Sequence, residues 1–436
     1  MIESFSKLIF KLGAKRRNPG LYQWYTFLKK SEKWSLGELK DYQLKKLQEL
    51  IRFVEKHSPY YKDLFKRESI SADDIRSLED IKRIPSISKA QLLSENERIH
   101  TDSSQFDRLF FCETSGSTGQ VLTFNRNENW DSANRAAIMR GYSWYGVLPW
   151  QRNLYFWGYN FSAKRRLKTR LLDALQNRFR LFNYSPETIS SLRKKLDSVV
   201  FIHGYSSMIY ELAKILNASQ EKPTFPKLKM VKGTSEKIFP HYQEQVTKAF
   251  GKPIISEYGA AEAGIIAFEC PRGKMHLNLE GCIVESDDEN DGEILVTNLH
   301  SYSFPVIRYR LGDYIRLAPE DVTCDCGMSH PILEEVTGRV GKNIIGKQQN
   351  FPSLTLYYIF KNLFFEHNLK LNYQAHQYES GKLEIRIVEQ LSESNLKTLQ
   401  KEAMKYFKNE IDLEILDNKD IHSYDKKLKD FISHIE

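Results

Sequence analysis

Residues 199–218 read VVFIHGYSSMIYELAKILNA, and the spacing of the apolar residues changes within this stretch. Residues 199–203 form a short apolar run typical of a buried strand, whereas residues 208–216 carry apolar side chains at helical spacing. The alternation continues on both sides, with strands predicted at 153–157, 228–232 and 254–256, and helices at 131–146, 164–177 and 241–250. Strands that alternate with helices favour a layered α/β fold.

The pattern changes after Gly264, where short β-rich segments with hairpin-like turns replace the alternation. From about residue 338 it changes again, to helices near 354–364 and 394–407 with strands near 373–377 and 383–388. We therefore predict a large multi-layer α/β N-terminal domain over residues 1–337, with a β-rich part at about 265–337. A small α+β C-terminal domain is predicted over residues 338–436.

Composition excludes several classes of protein. The 436 residues are 41% hydrophobic and include 25 Phe and 23 Tyr, which is enough aromatic area to exclude a disordered chain. No window holds 18 uninterrupted apolar residues, so we expect no membrane span. The net charge of +8 suits an anionic substrate but is too small to predict nucleic-acid binding. The basic N-terminus has neither a long apolar region nor a cleavage site, so we expect a cytoplasmic protein.

A loop of small and hydroxyl-bearing residues follows a strand predicted to be buried at residues 108–112. The loop consists of Thr114, Ser115, Gly116, Ser117, Thr118 and Gly119. Such a loop can wrap a phosphate chain, because glycine lets backbone N–H groups approach and the hydroxyls add donors. It does not follow the Walker A pattern, and taken alone it could equally be a polar surface loop.

Further motifs follow this loop in a fixed order. They are Gly233-Thr234-Ser235-Glu236, Tyr258-Gly259-Ala260-Ala261-Glu262, Tyr309-Arg310-Leu311-Gly312-Asp313, Gly338-Arg339 and Lys426-Lys427. From about Tyr42 onward the series resembles the acyl-adenylate-forming enzyme superfamily. Within it, Glu257 to Cys270, Thr297-Asn298-Leu299 and Arg308 to Asp313 resemble the phenylacetate-CoA ligase family, in the branch associated with capsular and other surface polysaccharide biosynthesis.

The resemblance implies an AMP-forming acid ligase whose small C-terminal domain is a mobile lid. In such enzymes a small-molecule carboxylic acid attacks the α-phosphate of ATP, releasing pyrophosphate, and an acceptor then displaces AMP from the acyl-adenylate. The implied cofactors are ATP and Mg²⁺, and the acceptor is CoA or an amine or hydroxyl of a sugar. Neither step needs a protein nucleophile, since positioning and charge neutralisation suffice.

The resemblance also implies roles for single residues. It places the loop from Thr114 to Gly119 on the ATP phosphates, Glu262 on Mg²⁺ and Tyr258 against adenine. Asp313 suits the ribose, because a carboxylate can accept two hydrogen bonds from a vicinal diol. The remaining implied nucleotide-binding residues are Gly233, Ser235, Glu236, Gly259 and Arg339. Plainer roles stay open: Glu262 as a solvated helix start, Asp313 as a turn residue and Tyr258 as core packing.

The implied catalytic lysine is Lys427, in a lysine-rich segment near the C-terminus. Lys426 and Lys429 are close contenders, the usual glycine before the lysine is missing, and a solvated charged tail is the plainer alternative. Other departures are Gln120-Val121 in place of Lys-Pro, Ala261 in place of Thr, and Gly341-Lys342 in place of an acidic pair. They motivate an alternative function, a non-catalytic nucleotide-binding homologue that has lost turnover.

Four residues form a candidate zinc site: Cys270, His276, Cys324 and Cys326. Three thiolates and one imidazole make a closed tetrahedral set, so we expect a structural Zn²⁺ that clamps two β segments and takes no part in chemistry. Similar cysteine and histidine placement in the family branch supports this hypothesis. The alternative is buried thiols with a surface histidine. Cys112 and Cys282 are predicted to be small buried apolar residues.

Two further features bear on the substrates. Trp157, His203, Gly204 and Tyr205 lie where the resemblance places the acyl pocket. The helix at 164–177 is strongly basic, which indicates either a solvated face or a rim that attracts an anionic second substrate such as CoA or a nucleotide- or lipid-linked sugar phosphate. A nucleic-acid role would rest on this helix alone, so we expect none. A homodimer is an open alternative to a monomer.

Overall fold

The computed structural model describes residues 2–114, 121–156, 163–180, 195–219, 224–236, 238, 240–287, 292–337, 343–369, 371–419 and 431–435. The α-helices in these ranges are α1 (Ile2–Arg17), α2 (Leu21–Ser31), α3 (Leu36–His57), α4 (Pro59–Glu68), α5 (Lys89–Ser94), α6 (Asn96–Ile99), α7 (Glu128–Trp144), α8 (Ala163–Leu175), α9 (Ser206–Ala218), α10 (Pro240–Phe250), α11 (Leu354–His367) and α12 (Glu393–Phe407). Short 3-10 helices span Ala72–Asp74, Leu78–Arg83 and Ser103–Gln105.

The strands are β1 (Leu109–Glu113), β2 (Thr123–Asn127), β3 (Asn153–Phe156), β4 (Arg178–Arg180), β5 (Phe201–Tyr205), β6 (Met230–Thr234), β7 (Ile254–Ala260), β8 (Gly264–Glu269), β9 (Met275–Leu277), β10 (Cys282–Asp287), β11 (Glu293–Asn298), β12 (Tyr309–Leu317), β13 (Ile332–Thr337), β14 (Asn343–Ile345), β15 (Asn350–Pro352), β16 (Tyr373–Gln377), β17 (Lys382–Ile387), β18 (Asp412–Leu416) and β19 (Phe431–Ser433).

An eleven-stranded sheet forms the centre of the molecule, in the order β10-β11-β12-β13-β9-β8-β7-β6-β5-β3-β4. Strands β4, β3, β5, β6 and β7 run parallel to their neighbours. Parallel neighbours need long crossover connections, and α8, α9 and α10 lie between these strands in the chain. The predicted α/β class is therefore confirmed.

The β-rich part predicted at 265–337 does not form a sheet of its own. Strand β8 pairs antiparallel with β7, and the strands that follow extend the same sheet outward. The antiparallel half of the eleven-stranded sheet packs against the helices of the first hundred residues. Together they form the largest core cluster of the described chain. The helix α3 contributes Leu47, Leu50 and Val54 to this core and begins at a capping box between Ser35 and Glu38.

Each face of the parallel half is covered by helices. On one face, α9 and α10 pack on Leu154, Ile202 and Val231. On the other, α7 contributes Tyr142, which contacts Phe201 of β5. The carboxyl ends of these strands are therefore the open edge of a covered sheet, which is where parallel α/β sheets bind ligands.

The strand predicted before the hydroxyl-rich loop exists, but the prediction that it is buried is wrong. β1 forms a separate two-stranded hairpin with β2, and Phe111 is 63% exposed. An isolated hairpin has one face without a covering layer, so a continuous apolar run does not guarantee burial there. Cys112 on the same strand is only half-buried, whereas Cys282 is fully buried as predicted.

The residues after 343 form a separate packed unit. A four-stranded sheet in the order β18-β17-β16-β19 packs on α11 and α12 around a core that includes Leu363, Ile385 and Phe407. The last strand, β19, pairs parallel with β16, from Ala375 opposite Phe431 to Gln377 opposite Ser433. Among the helices of the described ranges, none combines the length and the apolar character needed to cross a lipid bilayer.

Candidate active site

The structure brings together two residues that the sequence analysis assigned to the nucleotide. The Tyr258 phenol, on β7, donates a hydrogen bond of 2.9 Å to Oδ2 of Asp313, on β12. Although 55 residues separate them in the chain, the hydrogen bond places the aromatic ring and the carboxylate side by side. A flat ring beside a carboxylate is an arrangement that can bind a nucleoside through its base and its ribose hydroxyls.

Two arginines of the same motif hold β12 in position. The guanidinium of Arg310 reaches Glu293 at 2.7 Å and Asp287 at 2.8 Å, and Arg308 makes an ion pair of 3.0 Å with Glu285. Bidentate and paired arginine contacts fix geometry more tightly than a lysine would. The sequence analysis quoted these arginines in the motif without a role, and the structure gives them one: they position the strand that carries Asp313.

The end of β6 supplies a tight turn next to the end of β5. Gly233 lies in register with Gly204, and a Cβ at Gly233 would come 2.4 Å from Oγ of Ser206. That hydroxyl donates to the backbone oxygen of Glu236 at 3.2 Å, and Ser235 adopts a left-handed conformation with φ +67. Exposed backbone groups in such a turn are suited to recognising a polar ring edge.

Glu262 lies in the turn between β7 and β8 and is only 5% exposed. Within the described residues, no hydrogen bond or ion pair of its carboxylate is seen, and its oxygens are not among the fully buried polar atoms that lack a partner. A carboxylate in such a position is able to serve as a ligand for a hard cation. The finding argues against the plainer role of a solvated helix-start residue. Gly259 is required nearby, since a Cβ there would lie 2.5 Å from the Gly264 carbonyl oxygen.

Only the base of the hydroxyl-rich loop falls within the described residues. Thr114 is buried and closes the β1–β2 hairpin, because its N–H donates to the Leu122 oxygen at 2.9 Å and its Oγ1 accepts from the Leu122 N–H at 3.1 Å. The other predicted residues outside the described ranges are Ser115, Gly116, Ser117, Thr118, Gly119, Trp157, Arg339 and Lys427.

A row of polar side chains crosses the parallel strands near their carboxyl ends. Arg180 of β4 is in register with Tyr155 of β3, Tyr155 with His203 of β5, and His203 with Lys232 of β6. Residues in register on parallel strands share one face of the sheet, so these four side chains form a continuous row. Of this row, the sequence analysis identified only His203.

The two ends of the row carry positive charge. Lys232 is buried and its Nζ lies 2.7 Å from Glu257 Oε2. Burial alone would lower the pKa of Lys232, but the Glu257 carboxylate outweighs it and raises the pKa. At the other end, Arg180 makes two hydrogen bonds of 3.0 and 3.1 Å with Asp173. The buried Nε of Arg178, beside the Tyr155 ring, has no hydrogen-bond partner.

His203 lies between these charges as a neutral imidazole. Burial lowers its pKa well below the usual value, and the charges of Arg178, Lys232 and Arg180 lower it further. Its Nδ1 lies 3.3 Å from the Tyr142 hydroxyl and its Nε2 lies 3.3 Å from Asn153 Oδ1. The amide oxygen is only an acceptor, so Nε2 carries the proton and Nδ1 accepts from Tyr142.

Gly204 and Tyr205, the other two described residues of the predicted acyl pocket, make different contacts. Gly204 has φ +145, and a Cβ there would come 2.2 Å from the Phe156 oxygen, so this position requires glycine. The Tyr205 hydroxyl lies 2.6 Å from the Tyr358 hydroxyl on α11. A second contact joins α11 to β1, because Lys361 forms an ion pair with Glu113. These contacts link the last hundred residues to the candidate site.

The predicted metal ligands do converge. Ligand atoms of Cys270, His276, Cys324 and Cys326 all lie within 4.8 Å of one another. Cys270 Sγ is 3.7 Å from Cys324 Sγ, and Cys326 Sγ is 3.2 Å from His276 Nε2. The imidazole is buried, which excludes the alternative of a surface histidine. The four residues join the β8–β9 hairpin to the connection between β12 and β13.

The donor set and its surroundings fit a tetrahedral metal ion of the zinc type. His276 Nδ1 donates to the His330 carbonyl oxygen at 2.9 Å, which orients Nε2 toward the thiols. Metal-binding histidines commonly have such a partner on the second ring nitrogen. With three sulfur atoms and one nitrogen, the set has no vacant position for substrate.

A buried ion network that sequence analysis missed lies behind the metal ligands. Glu280 is fully buried and accepts from Arg140 at 2.6 Å and from Ser31 at 2.5 Å, and its second oxygen lies 3.1 Å from His330 Nε2. Burial would raise the pKa of Glu280, but the charges of Arg140 and His330 lower it. Since His330 also contacts His276, the network connects α7 to the metal cluster.

We expect Glu280→Ala to lower the free energy of unfolding by about 3–5 kcal/mol, because it leaves the Arg140 guanidinium buried and unpaired. Glu320→Ala is the matched control: it removes the exposed ion pair with Lys40 and should change stability by less than about 0.5 kcal/mol. Urea unfolding followed by tryptophan fluorescence measures both. Equal effects of the two substitutions would contradict a structural role for the network.

The eleven-stranded sheet, its helical layers and the small C-terminal unit together make a fold that is shared with a solved acid–CoA ligase. The chain is similar to solved structures of 2-hydroxyisobutyryl-CoA ligase. The similarity to the thioesterification state with 2-HIB-AMP and CoA has a TM-score of 0.62 and 17% identity over 92% of this chain and 91% of that one. The open conformation with the same ligands gives a TM-score of 0.58, with 17% identity and 92% of each chain covered.

Protein CapK of Staphylococcus aureus is similar in sequence. It is 22% identical over 304 residues, which is 65% of this chain. The match spans 64% of the length of CapK. No family model matches the chain.

Proposed function

We propose that this chain is an ATP-dependent carboxylate-activating ligase that forms an acyl-adenylate and transfers the acyl group to a CoA thiol or to an amine or hydroxyl of a sugar. The observation that carries the proposal is the Tyr258–Asp313 pair at the open edge of the sheet. Glu262, which is largely buried, lies four residues after Tyr258 in the turn that follows β7. The solved structures of 2-hydroxyisobutyryl-CoA ligase contain 2-HIB-AMP and CoA. The similarity to Protein CapK accompanies the sequence motifs that resemble the surface polysaccharide branch.

Each residue has a defined task in the proposed reaction. Asp313 accepts hydrogen bonds from the ribose hydroxyls, and the Tyr258 ring lies against adenine, with Gly233 to Glu236 on the other side of the base. Glu262 would hold Mg²⁺, which neutralises charge on the phosphates when bound. The loop from Thr114 to Gly119 binds the phosphates, and Lys427 stabilises charge as pyrophosphate leaves.

The remaining proposals concern the organisation of the protein. We propose that residues 338–436 act as a lid on residues 1–337, with Tyr358 and Lys361 as part of its contact surface. The cysteine and histidine cluster would hold one structural Zn²⁺. We propose a cytoplasmic location for the protein. A homodimer is an alternative to a monomer.

Pyrophosphate release with ATP and Mg²⁺, measured across a panel of aryl, fatty, hydroxy and amino acids, tests the proposed activity. We expect release with one class of acid only, and a loss of about 10²-fold in kcat/KM for Asp313→Ala, mainly through KM for ATP. Glu335→Gln, which alters an exposed carboxylate on the neighbouring strand β13, controls for general effects of the substitution. If ATP binds but no acid supports release, the chain is a non-catalytic nucleotide-binding homologue.

The row from Arg180 to Lys232 supports a polar acyl pocket. Its described charged groups are three cations, Arg178, Arg180 and Lys232, and two carboxylates, Asp173 and Glu257, which leaves one positive charge in excess. A buried positive charge attracts an anionic or hydrogen-bonding group and rejects a plain alkyl chain. We therefore propose an acid that carries a second polar group, such as a hydroxy acid or a dicarboxylic acid.

Replacing Lys232 with Met should lower the preference for such an acid over an apolar acid of equal length by at least about tenfold in kcat/KM. Because Lys232→Met leaves Glu257 buried and unpaired, the double variant Lys232→Met/Glu257→Leu is measured beside it. Lys229→Met alters a neighbouring exposed lysine and should leave the preference unchanged. An unchanged preference in both Lys232 variants would place the acyl pocket elsewhere.

A further inference from the structure

Helix α1 exposes an apolar stripe to solvent. Phe5, Leu8 and Leu12 are each between 53% and 56% exposed, and their spacing of three and four residues places them on one side of the helix. The opposite side, with Phe10 and Ala14, packs against the body of the protein. The exposed stripe is therefore left over after the helix has satisfied its own packing.

Lysines flank this stripe. Lys11 and Lys15 are exposed and lie beside Leu8 and Leu12 along the helix. Glu3 is the only acidic residue among the sixteen of α1, whereas five residues are basic. An apolar stripe bordered by lysines is the pattern of a helix that lies in a bilayer interface.

Helix α8 repeats the pattern. Leu167 is 71% exposed and Leu171, one turn later, is 63% exposed, with Leu172 beside it. Five basic residues and one acidic residue belong to this helix, and the acidic one, Asp173, is buried against Arg180. Lys168 and Arg170 are exposed, so the side that faces solvent carries leucines and positive charge.

The two helices lie at the same edge of the molecule. Trp150 contacts the Phe10 ring at 5.6 Å and lies 5.6 Å from Lys7 Nζ, both in α1. The Trp150 carbonyl oxygen accepts a hydrogen bond of 3.3 Å from Asn177, two residues after the end of α8. A single tryptophan thus joins α1 to the C-terminal end of α8.

The net charge of these two helices equals that of the whole protein. Each carries five basic residues and one acidic residue, so together they hold a net charge of +8. The whole chain has a net charge of +8, which means that the other residues balance to zero. Charge and exposed apolar area are therefore concentrated on the same two elements.

We propose that α1 and α8 form a docking surface for an anionic lipid bilayer. Six of the fifteen exposed large hydrophobic residues described lie on these helices, and a bilayer interface buries leucines while its anionic headgroups attract the lysines and arginines. A nucleic acid would use the charge but would leave the leucines in water. A second copy of the chain would bring equal positive charge against this surface.

Co-sedimentation of the full chain with phosphatidylcholine vesicles, with and without 40% phosphatidylglycerol at 150 mM salt, tests the proposal. We expect binding to the anionic vesicles only. Lys11→Gln/Lys15→Gln should lower the partition coefficient by about 25-fold, at about fivefold per charge. Leu8→Ala/Leu12→Ala and Leu167→Ala/Leu171→Ala should each lower it by at least about tenfold, because alanine keeps helical propensity while removing apolar area.

Matched controls use exposed residues outside the two helices. Lys252→Gln/Lys401→Gln removes two exposed lysines, and Val322→Ala/Met404→Ala removes two exposed apolar side chains. Both should bind vesicles as the wild type does, and all variants should melt within about 2 °C of it. No binding to anionic vesicles, or equal loss in the controls, overturns the proposal.

Duplex DNA binding that is weakened by the lysine variant but not by the leucine variants would identify a nucleic-acid surface instead. Dimers that the leucine variants dissociate in the absence of lipid would also overturn it.

Discussion

Replacing Lys427 with alanine is expected to lower the rate of acyl-adenylate formation by about 10²–10³-fold, which is the usual loss when one charge-stabilising group is removed from a transition state. The lysine belongs to the segment between β18, which ends at Leu416, and β19, which begins at Phe431. Because β19 pairs with β16, this segment is tied to the small C-terminal sheet on both sides. A lid movement would therefore carry the lysine with it.

A comparison of the two half-reactions makes this test specific. A synthetic acyl-adenylate supplied to Lys427→Ala should still transfer its acyl group to the acceptor at nearly the wild-type rate, since pyrophosphate has already left. Lys426→Ala and Lys429→Ala, measured in parallel, decide among the three candidates, and Lys419→Ala at the end of the described segment is the control. Adenylate formation that survives in all three variants would show that no lysine of this segment acts in the reaction.

Removal of the metal is expected to have the largest structural effect. We expect one zinc per chain in the purified protein, and its loss in Cys270→Ser or Cys326→Ser should lower the melting temperature by at least about 5 °C. The cluster joins the β8–β9 hairpin to the connection between β12 and β13, so its loss separates two parts of the same sheet. Binding energy of a structural zinc contributes directly to folding.

Metal content by mass spectrometry and thermal unfolding measure this effect together. Cys112→Ser is the matched control, because this half-buried thiol lies outside the cluster and should change neither zinc content nor stability much. Restored stability on adding zinc after a chelator would confirm that the metal and not the thiols is responsible. Wild-type protein purified without zinc, or a Cys270→Ser variant that melts at the same temperature as the zinc-bound wild type, would contradict the site.

Local signals were sufficient to predict most of the elements. The helix predicted at 164–177 is observed at Ala163–Leu175, and the helix predicted at 394–407 at Glu393–Phe407. Periodicity is a property of a few consecutive residues, so it can be read without knowledge of partners. The burial of β1 could not be predicted in the same way, because burial depends on which layer covers a strand.

The candidate site was predictable only in part. The motifs led to the assignment of Tyr258 and Asp313 to one proposed nucleotide site, and the structure places the two side chains in hydrogen-bond contact. Residue type was enough to group the cysteines with His276. The role of Glu280 left no local signal, since Arg140 lies 140 residues away. Lys232 ended a predicted strand and Glu257 began a quoted motif, but neither received a role from the sequence, because their ion pair forms only when β6 and β7 lie side by side.

The α/β class and the order of the elements follow from local spacing, and the grouping of three cysteines with a histidine follows from side-chain identity. Three features emerge only in the folded chain: the β-rich strands extend one sheet, α1 and α8 meet at Trp150, and one row of side chains forms from Arg180, Tyr155, His203 and Lys232. Strand register and helix packing choose partners across the whole chain, and residues distant in sequence acquire a shared environment only when those choices are made.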